Sequence, residues 1–112
     1  MPLDLPLPNN KKLLVLFRLE SGCLGPDGSN HIDAFCLQAQ KQFAAIDSDF
    51  IDWEIIPRQD KSLPERQYKI NNKLISREMA EKYLNLFNRN IDNFEENIDE
   101  KLGEIINQYL GY

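Results

Sequence analysis

Residues 13 to 19 read Leu-Leu-Val-Leu-Phe-Arg-Leu, an apolar run broken only by Arg18. A run this continuous lacks the alternation of a half-exposed strand, and it predicts a central strand covered on both faces. Gly22, Gly25 and Gly28 then break the chain, and Pro26-Asp27-Gly28 supplies turn chemistry. Beyond them Ile32, Phe35, Cys36, Ala39, Phe43 and Ile46 recur at spacings of three and four. That is one helical stripe, with Ser29 or Asn30 placed to cap it and an end expected near Asp47 and Ser48. From Phe50 to Ile56 the pattern becomes strict alternation: Ile51, Trp53 and Ile55 on one side, Asp52 and Glu54 on the other, stopped by Pro57. This marks a second strand with a wetter face, at a sheet edge. A strand, a helix and a strand in succession make a right-handed crossover with parallel strands, so the chain is constrained to an α/β fold.

The remaining elements follow from the same signals. Arg58 to Arg66 is polar, carries Pro64 and is too short for another full helix. Gln67 to Ile70 and Lys73 to Ile75 flank Asn71-Asn72, and asparagine tolerates the left-handed conformation that a two-residue hairpin turn requires. Ser76 caps a helix whose apolar face is Met79, Ala80, Tyr83, Leu84 and Phe87, and Asn88-Arg89-Asn90 ends it. A last helix runs from Ile91 to about Leu110 on the stripe Ile91, Phe94, Ile98, Leu102, Ile105 and Tyr109, with Gly111 as its stop. Ahead of all this, prolines at 2, 6 and 8 favour an extended arm over residues 1–12, expected to be a loose tail. Residues 13–112 are then a single α/β domain, and 112 residues at 42% hydrophobic suffice for a modest core without metal or disulfide support.

The net charge of −5 is unevenly placed, because residues 91–112 hold six acids against Lys101 alone and the first 90 residues balance. The last helix is therefore acidic as well as amphipathic. No basic stripe interleaved with aromatics occurs, which leaves nucleic-acid binding without an electrostatic footing. No run approaches the roughly 18 apolar residues that cross a bilayer, and the first ten residues lack the basic and apolar regions of a signal peptide. With two cysteines, the expectation is a soluble cytoplasmic protein with reduced thiols and no membrane partner.

The hairpin must return antiparallel, so the carboxyl ends of the first two strands and the amino end of the third share one sheet edge. Loops 22–30 and 57–66 meet there, in the kind of crevice where open α/β sheets bind ligands. Cys23, Asp27, His31, Arg58, Asp60, Lys61 and Glu65 are the polar or reactive groups that can converge on it. The glycines satisfy neither phosphate-loop fingerprint, and turn formation accounts for them. Cys36 falls in the apolar stripe of the first helix, which argues for core packing.

The order strand-helix-strand, strand-strand-helix, a cysteine just after the first strand, and the segment Leu63-Pro64-Glu65-Arg66-Gln67-Tyr68-Lys69-Ile70-Asn71-Asn72-Lys73-Leu74-Ile75-Ser76 resemble the thioredoxin and glutaredoxin fold over residues 13 to 88. The resemblance implies a mixed four-stranded sheet, to which this chain adds a C-terminal helix. It implies Cys23 as the nucleophile, Pro64 as the cis-proline that shapes the site beside it, and glutathione as a candidate cofactor. The chain departs from the family in three ways. Cys23 is followed by Leu24-Gly25-Pro26 and not by a second cysteine or a serine at the family's spacing; it precedes the helix start instead of sitting on it; and the helix between the second strand and the hairpin is missing. The reading that fits is a degenerate thioredoxin-like binding or accessory module, taking a small molecule or a protein in the crevice and able to pair with a second copy through the last helix. A one-cysteine oxidoreductase or glutathione-dependent protein using Cys23 is the alternative. A metal-binding domain using Cys23, His31 and Cys36 ranks third.

Overall fold

A computed structural model describes residues 5–111, with Cys23 described through its backbone alone. Strand β1 (Leu13–Leu19) is followed by helix α1 (Ile32–Phe43), strands β2 (Ile51–Pro57), β3 (Arg66–Ile70) and β4 (Lys73–Ile75), and helices α2 (Arg77–Asn85) and α3 (Ile91–Leu110). The sheet order is β2-β1-β3-β4. β1 pairs in parallel with β2 and antiparallel with β3, and β3 pairs antiparallel with β4. The fold is thus mixed α/β around a four-stranded sheet, with β1 central and β2 at the edge.

Strand alternation divides the sheet into two unequal faces. Leu13, Val15, Phe17 and Leu19 of β1 stand level with Ile51, Trp53 and Ile55 of β2 and with Tyr68 of β3. These residues form one core cluster with Phe35, Ala39 and Phe43 of α1, Ala80 and Leu84 of α2, and Ile91, Phe94, Ile98 and Ile105 of α3. The opposite row, Leu14, Leu16, Ile56 and Leu74 among Asp52, Glu54, Gln67 and Lys69, lies outside that cluster. The expected helical cover on both faces of β1 is therefore corrected to cover on one. The cause is the connection between β2 and β3, residues 58–65, which is too short to carry a helix across the second face. Leu16 and Arg18 are buried even so, because the loop folds over their end. The Arg18 backbone N–H donates to the Glu65 carbonyl at 2.7 Å, and its Nη1 donates to the Pro64 carbonyl at 2.9 Å and to Gln67 Oε1 at 2.6 Å.

Local chemistry sets the boundaries. Asn71 and Asn72 take φ of 52° and 64°, the left-handed pair that closes the hairpin. Ser76 caps α2 by accepting from the Met79 N–H, and Asn90 caps α3 by accepting from the Asn93 N–H, both at 3.1 Å. Gly111 ends α3 at φ 82°. Two boundaries differ from expectation. The 28–30 stretch is a 3-10 turn, so neither Ser29 nor Asn30 caps α1; His31 occupies that position without a side-chain cap. α1 also ends at Phe43, earlier than its stripe suggests, and Asp47 at φ 48° turns the chain into β2.

The arm is docked from Leu7 onward. The Leu7 N–H donates to the Asp49 carbonyl at 2.8 Å and its side chain packs against the core, so the expected loose tail is corrected over residues 7–12. Met1 to Asp4 lie outside the described residues.

Candidate functional site

The crevice expected at the carboxyl ends of β1 and β2 exists as a shallow cleft of about 220 Å³, walled by Leu19, Ser21, Ser29, Ile32, Pro57 and Arg58 among others. Of the predicted binding residues only Arg58 lines it. Its guanidinium is already committed. It donates to a Glu20 carboxylate oxygen, to the Leu63 carbonyl at 3.1 and 3.0 Å and to the Lys61 carbonyl at 3.2 Å, with Glu65 at 3.7 Å. Asp60 is likewise turned inward on its own loop. Its Oδ1 accepts from the Ser62 hydroxyl at 2.6 Å and the Ser62 N–H at 2.9 Å, and these bonds hold its carboxyl below the usual range. Arg58 and Asp60 thus knot residues 58–65 into a compact loop and present no open cluster.

The other predicted residues are dispersed. Lys61 is exposed, and Glu65 lines a separate depression with Arg18 and Glu20. Asp27 is exposed ahead of the 28–30 turn, and the His31 ring meets Tyr109 edge-on at 6.2 Å. Pro64 is exposed, and the Leu63–Pro64 bond is trans, unlike the cis-proline that the family resemblance implies. The Cys23 backbone lies in a 3-10 turn, Ser21–Leu24, while its side chain falls outside the described residues. Cys36 is buried on α1. Among the described residues no group of three His, Cys, Asp or Glu side chains is placed to hold a metal ion.

A better-formed cavity opens at the far end of the domain, between the end of α1 and the first half of α3. It also measures about 220 Å³. Phe43 of α1, Trp53 of β2, and Phe94 and Ile98 of α3 form its inner wall, where the apolar stripes of three elements reach the same place. The Trp53 ring lies nearly parallel to Phe94, with centroids 5.7 Å apart and planes 22° apart, and 5.0 Å from Phe43. The indole N–H donates to the Ile46 carbonyl at 2.9 Å, which fixes the ring in place. Asn88, Asn90, Asn93 and Asn97 stand around the mouth. Asp47 and Arg89 close one side, with Arg89 Nε and Nη2 donating to the two Asp47 carboxylate oxygens at 3.2 and 3.0 Å. This bidentate pair holds the Arg89 pKa above its ordinary value and leaves the rim without net charge.

Apolar walls with a few polar groups at the mouth are what a small-ligand site requires. Among the described residues the lining contains no cysteine, histidine, serine or lysine, and its one carboxylate, Asp47, is paired with Arg89. Sequence reasoning passed over this cavity because Asn88-Arg89-Asn90 is fully accounted for as a helix stop. The available signal was the density of asparagine, four within ten positions on and before an aromatic stripe.

Fold and cavity together define a two-layer α/β domain with a neutral, aromatic-walled pocket. No protein family, curated protein or solved structure matches the chain. No helix among the described residues is long and apolar enough to cross a membrane.

Proposed function

We propose that this protein is a degenerate thioredoxin-like binding module without redox chemistry, and that its ligand is a small molecule held in the cavity between α1 and α3. The observation that carries the reading is the cavity itself: aromatic walls from three elements and a rim that carries no net charge. The sheet order β2-β1-β3-β4, with one parallel pair and a hairpin leading into a helix, supports the thioredoxin-like part. The trans Leu63–Pro64 bond and the self-satisfied Arg58 and Asp60 favour binding over thiol catalysis at the opposite end.

Two measurements test it. Toluene is titrated into isotope-labelled protein while amide and indole N–H resonances are followed by NMR. Saturable shifts confined to Phe43, Trp53, Phe94, Ile98 and their neighbours are expected, and shifts that scatter or never saturate would overturn the site. Alkylation of Cys23 by iodoacetamide is then followed against pH in a Cys36→Ser background. A thiol titrating near the free value of about 8.5 is expected, and a thiolate formed well below that would overturn the non-redox reading.

A further inference from the structure

We infer that the cavity takes a planar, uncharged amide or lactam of one or two rings, the chemistry of a nucleobase edge or an aromatic carboxamide. The inference rests on the proposal that the cavity is the binding site, and it adds the class of ligand. Size comes first. About 220 Å³ corresponds to roughly seven waters of liquid volume, enough to hold one or two rings.

Shape follows from the walls. Trp53 and Phe94 lie close to parallel, and a flat ring extends such a stack at the usual offset distance.

Polarity follows from the rim. The side chains of Asn88, Asn93 and Asn97 are exposed at the mouth and have no hydrogen-bond partner among the described residues. Each presents one acceptor oxygen and two donor hydrogens. Asn93 and Asn97 are four apart on α3 and so share one face, which sets two carboxamides side by side. An amide or lactam edge has one donor beside one acceptor and satisfies such a group in both directions. A carboxylate offers acceptors only, and an ammonium donors only.

Charge weighs further against an anion. Among the described residues the charged groups on the rim are Asp47 and Arg89, which are spent on each other, and Arg89 also lies over the Phe50 ring at 5.6 Å. Beyond the rim, α3 carries Glu96 and Glu100, which disfavour an anion.

The test compares four probes built on one ring, benzamide, benzoate, benzylammonium and toluene, in NMR titrations of the full chain. Benzamide is expected to bind at least about tenfold more tightly than the other three, the order of difference that one or two good hydrogen bonds make. Replacing Asn93 and Asn97 together by leucine should reduce benzamide to the level of toluene and leave toluene binding intact. Both side chains are exposed and unbonded, so the fold should tolerate the change, which the amide spectrum checks directly. As a second variant, Asn97→Asp should weaken benzamide and benzoate alike.

If toluene binds in the cavity and benzamide binds no better, the amide assignment fails while the binding-module reading stands. If benzoate or benzylammonium binds best, the assignment fails through charge. If no probe moves the cavity resonances, both fail.

Discussion

Gly28 sits where a side chain cannot. A Cβ at that position would lie 1.7 Å from the Ser21 carbonyl oxygen and 2.7 Å from its carbon, both backbone atoms that yield only if the loop moves. Gly28→Ala should therefore destabilise the protein by about 1–3 kcal/mol or more, the cost of forced overpacking, read as a shift in urea midpoint. Of the other loop glycines, Gly25 is needed for its φ of 90°, whereas Gly22 faces open space. Gln40 has a role that helical spacing cannot reveal, since it lies on the half-polar side of α1. Its Nε2 donates to the Trp53 carbonyl at 2.6 Å and its Oε1 accepts from the Ile55 N–H at 2.8 Å, so one side chain takes the place of a neighbouring strand along the free edge of β2. Gln40→Met, which keeps volume and removes both bonds, should cost about 1–3 kcal/mol and should speed amide exchange at Ile55.

At the scale of the element, α3 is held to the sheet by ion pairs as well as by its apolar stripe. Glu95 accepts from the Tyr68 hydroxyl at 2.7 Å and from Arg77 at 2.9 Å, with Arg66 at 3.4 Å. Burial opposes charge on Glu95, but these hydrogen bonds and the two guanidinium charges outweigh it and hold its carboxyl below the ordinary value. Burial, reinforced by the bond to Glu95, pushes the Tyr68 hydroxyl well above the usual tyrosine range. Because the folded pKa of Glu95 is depressed, its contribution is present above the unfolded value of about 4.3 and is lost as pH falls through the lower folded value. Glu95→Gln should flatten the acid limb of stability below about pH 5, measured as urea midpoints from pH 2 to 7. The one-sided cover of β1 gives a paired test at the same scale. Val15→Ala, on the helix face, should cost about 2–3 kcal/mol, whereas Leu14→Ala, on the open face, should cost under about 1 kcal/mol despite removing the larger side chain.

For the whole molecule, most of the element plan was legible because each element satisfies its own local rule. The span Ile91–Leu110 followed from a stripe bounded by Asn90 and Gly111, and the hairpin from an Asn-Asn pair with strands on either side. The edge position of β2 followed from its alternation of Ile and Trp with Asp and Glu. The ends of α1 differ from expectation by a few residues of local geometry, whereas the larger misreadings concern what lies across space from a residue. An apolar run such as Leu13–Leu19 looks the same whether a helix or a folded loop with an arginine covers its second face. Titratable residues near a sheet edge look available until the loop that carries them is seen to satisfy them internally, as Arg58 and Asp60 are. By itself the sequence determined the α/β class, the order of the elements, the hairpin turn and the acidic amphipathic helix, because hydrophobic period, capping and left-handed asparagine act within a few residues. Only the tertiary structure decided that one sheet face lacks a helix layer, that Gln40 closes an edge, and that Trp53, Phe94 and four asparagines surround one cavity. Those contacts join residues up to more than forty positions apart, and no local energy term in the chain encodes which of them meet.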